Sequence, residues 1–530
     1  MSDFPQDQGT REGRKHPSIF EPATLVLGLL MAVLGGVIGI QLLTRVGITP
    51  NSSVIGAIVA MTLARIPLAV FRPFGSLERQ NILQTVISGA TFGGANALLL
   101  PIGIPWVLGR PDLVLPMFIG AFAGLVIDAT ILYRIFDSPA YPASGLWPSG
   151  VATAEVLIAG DQGGRRAGLL LAGGSVGGVG QLFGIPMDVF GVCWIGNAYA
   201  LSMFAVGLLL RGYAPAVIGV DLSEIYMPHG LMVGAGAVAL IQVVMIVRGN
   251  LSDSSGAKGS RPSRTNRVLM VGFMAFALAA AGLLLSGGAA SEMSVGMILG
   301  FIVFAAFAAL ASELVVGLSA MHAGWFPAFA TALIFLVIGI LAGFPEIPLA
   351  LLVGFVSSTG PAFADMGYDL KAGWILRGKG RDPEWERAGR KQQYWAELIG
   401  FGVAGALVLM VYESYFQADL IPPLDRVVAA TISAGADPLL AKSLLIWAIP
   451  GALIQWAGGP SRQLGVLLAT GLLILNPIAG WTAVVALIIR SQLTRRFGKD
   501  AESPMYIAAG GFIAGSALTG FASGAWQARR

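Results

Sequence analysis

Long apolar runs alternate with short polar segments along the whole chain. About sixteen of these runs reach the length that a helix needs to cross a bilayer, roughly 17–25 residues. Their apolar residues are consecutive and do not alternate, which excludes the strands of an outer-membrane barrel. Several runs are short or interrupted by Pro and Gly, which predicts broken or re-entrant segments. The pattern therefore predicts an all-α, polytopic integral membrane protein with about 14–16 transmembrane helices. The candidate spans lie near 23–44, 52–71, 81–100, 113–134, 144–160, 167–185, 189–210, 227–247, 268–286, 292–312, 323–343, 347–363, 393–416, 439–458, 464–490 and 504–524.

Composition supports this interpretation and excludes other classes. Hydrophobic residues make up 55% of the 530 positions and charged residues 12%, whereas soluble proteins have about 25% charged residues. A soluble enzyme and a nucleic-acid partner are therefore excluded. The 72 glycines suit close packing of membrane helices. The chain has no P-loop, and its single cysteine, Cys193, excludes an internal disulfide and a cysteine-built metal cluster. We expect no cofactor and no metal site.

The sequence predicts two related membrane halves. Residues 208–211 resemble 487–490, and a GxxxG helix follows each, at 230–234 and 511–515. Two further pairs keep the order, Arg79-Gln80 with Lys391-Gln392 and Ala152-Thr153 with Ala469-Thr470. Glycine- and leucine-rich helices also resemble one another without duplication, so both explanations stay open. The predicted division is a tail at 1–22, a half at 23–247, a basic linker at 248–267 and a half at 268–530. The basic segments predict cytoplasmic termini and a cytoplasmic linker in a cell (inner or plasma) membrane.

A first polar motif lies on one helix face. Asn81, Gln84, Thr85 and Ser88 recur at spacings of three and four residues. Because polar side chains are unfavourable in lipid, this face must meet protein or a wet cavity. It is a candidate substrate-binding face, and hydrogen bonds between helices are the alternative.

A second motif combines a helix break with a carboxylate. Pro148 and Gly150 predict an irregular turn within 144–155, beside Trp147 and Ser149. A break of this kind exposes backbone amides that suit an anionic ligand group. Glu155 follows as an intramembrane carboxylate, which we expect to share a cavity with the first motif and to exchange protons. The alternative is that Glu155 binds backbone N–H groups and holds the break in shape.

A third motif joins an apolar span to a basic loop. Asp365, Asp369 and Lys371 could form a gate or a ligand clamp there, or a solvated loop with internal ion pairs. Glu397 and Glu313 lie in or near apolar helices and are further candidates for proton coupling. Asp128 is a weaker candidate near the end of its span.

Three stretches together resemble the oligopeptide transporter (OPT) superfamily: NILQT at 81–85, WPSGVATAEVL at 147–157 and DMGYDLKAGW at 365–374. The resemblance implies an all-helical secondary transporter, usually driven by proton symport, for small peptides or metal–chelate complexes. The NPGPFN and KIPPR motifs of the eukaryotic peptide branch are absent, which favours the yellow-stripe-like and prokaryotic branch. The expected partners are a small-molecule or peptide substrate, protons and the lipid bilayer, and the chain could act alone or as a homodimer.

Two rival functions remain from the residues alone. Residues 173–177 match the GxSxG pattern of serine hydrolases, but they lie inside an apolar span and not at a strand-to-helix elbow. A channel is the other rival, although no filter-forming repeat is visible. We expect a transporter and not an enzyme.

Overall fold

The computed structural model describes residues 15–46, 52–65, 67, 69–253, 264–324, 328–434 and 438–527. These residues form helices and contain no β-strand, as expected for an all-α protein. We number the α-helices in chain order. They are α1 Pro22–Val46, α2 Ser52–Ala64, α3 Leu77–Phe92, α4 Leu100–Val107, α5 Val114–Ile135, α6 Pro148–Gln162, α7 Gly164–Leu182, α8 Met187–Ile195, α9 Ala198–Ile218, α10 Met227–Asp253, α11 Arg264–Ser286, α12 Val295–Ala323, α13 Ala328–Leu341, α14 Glu346–Ser358, α15 Pro361–Leu376, α16 Pro383–Gln417, α17 Pro423–Ala434, α18 Pro438–Arg462, α19 Leu464–Leu473, α20 Pro477–Phe497 and α21 Glu502–Gln527.

Apolar helices of membrane-spanning length confirm a multi-pass membrane protein. Among the described residues, nine helical segments are long and apolar enough to span, and four shorter apolar helices accompany them. The count of 14–16 helices stays a prediction. Two expected spans, 189–210 and 464–490, each contain a break, because Asn197 and Asn476 cap the start of a new helix there.

Two discontinuous spans form the centre of the protein. Leu77–Val107 joins α3 to α4 through a π-helical segment, Gly93–Leu99. Glu346–Leu376 breaks between α14 and α15, where Gly360 adopts a φ of +97°. In each span 94% of the most apolar stretch is buried inside the protein, against 28–56% in the other seven. Polar groups on these two spans are therefore shielded from lipid.

The helices repeat in the same order along the chain. The starts of corresponding helices lie 269 to 279 residues apart, as for Leu77 and Glu346 (269) and for Ala198 and Pro477 (279). The packing repeats as well, because α7 lies along α21 and α10 along α18. Helix α11 stands outside the repeat. The corresponding elements are α1 and α12, α2 and α13, α3–α4 and α14–α15, α5 and α16, α6 and α17, α7 and α18, α8 and α19, α9 and α20, and α10 and α21.

Single residues follow the same repeat. Asn197 and Asn476, 279 positions apart, both accept backbone N–H groups of the helix that follows. The matches of 208–211 with 487–490 and of the two GxxxG motifs fall on corresponding helices. The other two matches do not, since 79–80 lies on α3 and 391–392 on α16, while 152–153 lies on α6 and 469–470 on α19. Superposition of the two halves stays a prediction, and most of the basic linker lies outside the described residues.

Candidate functional site

Three acidic side chains meet inside the protein, between α3, α15 and α16. Asp365 and Asp369 lie one turn apart on α15, and Glu397 lies on α16. Asp365 is 2% exposed and the other two are fully buried. One carboxylate oxygen from each residue lies within 4.8 Å of those of the other two. We call these three residues the acidic cluster.

Helices α2 and α3 supply hydrogen-bond donors to the two aspartates. Gln84 Nε2 donates to Asp369 Oδ1 over 2.6 Å, and Ser88 Oγ donates to Asp365 Oδ1 over 2.9 Å. Ser53 Oγ, on α2, also donates to Asp369 Oδ1, at 2.6 Å. An ionised carboxylate can only accept hydrogen bonds, so these donors stabilise the charged form of both aspartates.

Glu397 has a different environment. Neither of its carboxylate oxygens receives a hydrogen bond from a described residue, and the ion pairs of the described residues do not include it. A Cβ on Gly89 would lie 3.2 Å from the Glu397 carboxyl carbon, so glycine leaves the space that this carboxyl group occupies against α3. A buried charge without a partner costs several kcal/mol. Glu397 therefore requires a proton or a cation.

Polar contacts continue from the acidic cluster toward the loop after α15. Gln393 Nε2 donates to the backbone oxygen of Asp369 over 2.6 Å and lies 3.2 Å from Thr85 Oγ1. Gln393 Oε1 accepts a 2.8 Å hydrogen bond from Arg377, which also forms a buried 2.7 Å ion pair with Glu386. The start of α16 is thus bonded to both α15 and α3 at the level of the cluster.

A family comparison agrees with this architecture. The family model described as OPT oligopeptide transporter protein matches residues 22–249 and 257–527. The chain belongs to this family. It is a membrane transporter and not an enzyme. No individual curated protein matches the chain.

The hydrolase interpretation of residues 173–177 has no support in the transporter's structure. These residues lie within α7, where Ser175 Oγ donates to the backbone oxygen of Leu171 over 3.0 Å. A Cβ on Gly177 would lie 2.8 Å from the Cα of Phe512. The glycines of this stretch serve the close packing of α7 on α21.

The first motif of the transporter lies in the site, as a buried face of α3. Gln84 and Ser88 bind the cluster directly, and Thr85 contacts Gln393. Asn81 is 2% exposed, and its Oδ1 has no hydrogen-bond partner among the described residues. The face therefore meets protein and not lipid.

The break in the second motif lies one residue earlier than expected. The segment 144–155 is not a continuous helix, because α6 begins only at Pro148. Pro148 to Gly150 form its first turn, so the predicted irregular turn at these residues is wrong. Trp147 carries the unusual backbone instead, with a φ of +39°. Pro is favourable in the first turn of a helix, where its missing N–H costs no hydrogen bond.

The residues around this break are occupied in packing. Trp147 is fully buried, and its indole donates to the backbone oxygen of Pro142 over 3.1 Å. Ser149 Oγ lies 3.4 Å from the backbone oxygen of Gly324. A Cβ on Gly150 would lie 2.7 Å from the Lys371 Cβ, so Gly150 allows α6 to approach α15 closely.

Glu155 lies apart from the acidic cluster. Its carboxylate accepts a 2.9 Å hydrogen bond from Ser503 Oγ and forms a 3.3 Å ion pair with Arg166. The carboxylates that Gln84 and Ser88 bind are those of Asp369 and Asp365, and a cavity shared by Glu155 and this face stays a prediction. Arg166 follows α6 by only a few residues and neutralises Glu155 locally.

The third motif is a buried helix and not a solvated loop. Residues 365–374 lie within α15, and Asp365, Asp369 and Lys371 are all buried. Lys371 does not close a clamp with the aspartates. Its Nζ donates to the backbone oxygens of Ala143 and Gly145, each over 2.7 Å. Lys371 therefore anchors the loop before α6.

Ser53 and Gln393 complete the site and were missed from the sequence. Gln393 had a usable signal, because it lies four residues before Glu397 and therefore on the same helix face. Ser53 had none, since a lone serine at the start of an apolar helix most often bonds its own backbone. Glu313 lies elsewhere, against Asp128.

Proposed function

We propose that this transporter is a secondary active symporter that takes up small peptides, or peptide-like and metal-chelate compounds, across the cell membrane. Protons drive it, and the acidic cluster is the coupling site. One observation carries this proposal: Glu397 is fully buried beside two aspartates and has no hydrogen-bond donor of its own.

The three carboxylates are unfavourable together when all are charged. Two unit charges about 5 Å apart repel by about 3 kcal/mol at an effective dielectric constant near 20. Ser53, Gln84 and Ser88 stabilise the ionised aspartates. A proton that enters the cluster is therefore best placed on Glu397, since no donor among the described residues stabilises its charged form.

Protonation links the cluster to the transport cycle. Proton uptake at Glu397 reduces the repulsion between α15 and α16, and proton loss to the less acidic cytoplasm restores it. Because Gln84 and Ser88 bring α3 into the same site, this change acts on both discontinuous spans. Glu155 is not the coupling residue in this proposal, because Arg166 already balances its charge.

The test compares Glu397→Gln and Glu155→Gln with Glu413→Gln. Glu413 is an exposed residue on the same helix, so its variant controls for charge removal from α16. Cells making each protein are given a mixture of di- to tetrapeptides, or a ferric chelate, with and without a proton uncoupler. We expect Glu397→Gln to lose uncoupler-sensitive accumulation and to retain counterflow in proteoliposomes.

Two outcomes of this test contradict the assignment. Normal proton-driven accumulation by Glu397→Gln shows that the cluster is not the coupling site. Loss of accumulation in Glu155→Gln, with Glu397→Gln unaffected, returns the role to Glu155. If neither the unmodified protein nor any variant accumulates the peptides or the chelate, the protein is not a symporter of these compounds.

A hard cation is the second candidate for the cluster. Three carboxylate oxygens within 4.8 Å of one another are close enough to hold one ion, and carboxylate oxygens suit Ca²⁺, Mg²⁺ or Mn²⁺. Uptake that needs one of these ions, and that continues in the presence of the uncoupler, would favour it over the proton.

The orientation is part of the same proposal. We place both termini and the basic linker in the cytoplasm, since cytoplasmic loops of membrane proteins carry an excess of Lys and Arg. We expect that a protease added outside the cells digests the terminal tags only after the membrane is permeabilised. Tags digested on intact cells would reverse the orientation.

A further inference from the structure

A pair of carboxyl groups outside the acidic cluster is buried at the break between α14 and α15. Asp128, on α5, and Glu313, on α12, are both fully buried. Asp128 Oδ2 accepts two backbone hydrogen bonds, from the N–H groups of Gly360 and Phe363, each at 2.8 Å. Asp128 thus caps the first turn of α15, the helix that carries Asp365 and Asp369.

Glu313 reaches this cap without a donor of its own. Neither of its oxygens, nor Asp128 Oδ1, has a hydrogen-bond donor among the described residues. The two carboxyl groups are close enough to share a hydrogen bond once one carries a proton. Tyr141 is the other titratable group acting on the pair, and its hydroxyl donates to the backbone oxygen of Leu314 over 2.9 Å.

The internal repeat relates this pair to the acidic cluster. Asp128 and Glu397 lie 269 residues apart, and so do Val114 and Pro383, where their helices begin. Each carboxylate faces the discontinuous span of the opposite half, Asp128 at Gly360 and Glu397 at Gly89. The two halves thus place an acidic side chain at equivalent positions.

We propose that Asp128 and Glu313 form a second proton-binding site, separate from the acidic cluster, that controls the start of α15. One proton is shared: the Glu313 carboxyl O–H donates to Asp128 Oδ1, while Asp128 Oδ2 keeps its two backbone N–H bonds. Loss of the proton leaves two adjacent buried carboxylates, and their repulsion loosens the cap. The existence of this site does not depend on the proposed symport, although its influence on transport does.

The chemistry favours a proton over a metal ion. Both N–H groups already occupy Asp128 Oδ2, which leaves one oxygen of Asp128 and the carboxyl group of Glu313 for a ligand. A cation such as Ca²⁺ takes six to eight oxygen ligands, whereas a proton needs one donor and one acceptor oxygen. The pair supplies these two atoms.

Infrared spectroscopy of the purified protein in nanodiscs tests the site without any transport substrate. Difference spectra between mildly acidic and alkaline pH report carboxylic acids that lose a proton. We expect Glu313→Gln to lose the signal of one protonated carboxyl group. Glu292→Gln is the matched control, because Glu292 is an exposed residue just before α12 and should leave the buried signal unchanged.

Thermal unfolding across the same pH range gives an independent readout. The unmodified protein should become less stable as the shared proton is lost at alkaline pH. A glutamine N–H can donate to Asp128 at any pH, so Glu313→Gln should lack this decrease. If Glu313→Gln does not fold, Asp128→Asn gives the same test, since its amide oxygen can accept both backbone N–H groups and its amide nitrogen can donate to Glu313.

The outcomes separate this proposal from the proposed symport. An unchanged carboxyl signal together with an unchanged alkaline loss of stability in either folded variant overturns the second proton site. A signal that disappears in Glu397→Gln and persists in Glu313→Gln also overturns it, and assigns the proton to the acidic cluster. Failure of peptide or chelate uptake affects neither readout.

Discussion

The two long helix pairs of the internal repeat offer a direct test of its physical meaning. Helix α21 packs on α7 through Gly515, and α10 packs on α18 through Gly234. A Cβ on Gly515 would lie 2.8 Å from the carbonyl carbon of Gly174. A Cβ on Gly234 would lie 2.8 Å from the Cα of Ala448. We predict that Gly515→Ala and Gly234→Ala destabilise the protein to a similar extent.

The expected magnitude follows from two opposing effects. Alanine favours the helix over glycine by about 1 kcal/mol. Inserting a methyl group against packed atoms typically costs about 1–3 kcal/mol, and the atoms in the way here are backbone, which cannot rotate aside. The two helices must therefore separate along an interface that depends on close approach. We expect a net loss of up to about 2 kcal/mol for each variant.

Gly300→Ala is the matched control. Gly300 lies on the exposed side of α12, and no atom other than the adjacent residues and backbone of its own helix lies within 4 Å of the position its Cβ would take. The helical preference of alanine then acts alone, so the stability should stay the same or rise by up to about 1 kcal/mol. The measurement is the fraction of protein that stays monodisperse in detergent after heating over a range of temperatures.

The rank order of the three variants decides the result. If Gly515→Ala and Gly234→Ala melt at or above the temperature of Gly300→Ala, the close contacts do not hold these helices together. If only one of the pair is destabilised, the interfaces are not equivalent and the repeat is limited to helix order.

Two further predictions concern charged groups near the site. Arg377→Gln should cost about 1.5–3 kcal/mol, because it removes charged hydrogen bonds to the buried Glu386 and leaves Arg390 as the ion-pair partner of that residue. Arg110→Gln, in an exposed ion pair with Asp112, should cost less than about 1 kcal/mol. Thermal unfolding of both variants checks this. Lys371→Met should release the loop that contains Ala143 and Gly145, and proteolysis within 136–147 should become faster. The control Lys499→Met, at an exposed residue, should not change it. Equal rates of cleavage in the two variants would contradict the anchoring role of Lys371.

Hydropathy sufficed to predict the fold class, because lipid imposes long apolar helices whatever their tertiary contacts. It did not predict where helices break. Asn197 and Asn476 interrupt two spans that look continuous in sequence, because each side chain caps the start of a new helix. Hydropathy averaged over a span does not detect a single capping residue. Gly360 interrupts the span Glu346–Leu376 by a positive φ, and the apolar residues around it gave no sign of this break.

The site was predicted in its parts and not in its connections. The face of α3 followed from helical spacing alone, and both aspartates were found as polar residues beside an apolar span. Their contact with Gln84 and Ser88 joins positions nearly 300 residues apart, which no local pattern contains. Glu155 was misjudged because its nearest sequence neighbours are apolar, whereas its carboxylate binds Ser503 of α21 and Arg166 at the start of α7.

Two acidic residues at corresponding helix positions face the two discontinuous spans. Asp128 on α5 faces Gly360, and Glu397 on α16 faces Gly89. The two residues have different surroundings. Backbone N–H groups at a helix start bind Asp128, while Glu397 faces two aspartates that are already hydrogen-bonded. A carboxylate that caps a helix is tied to the shape of the break, and one that lacks donors is free to exchange its proton. The same side-chain chemistry therefore suits both proposals, a proton that Asp128 shares with Glu313 in one place and a coupling proton on Glu397 in the other.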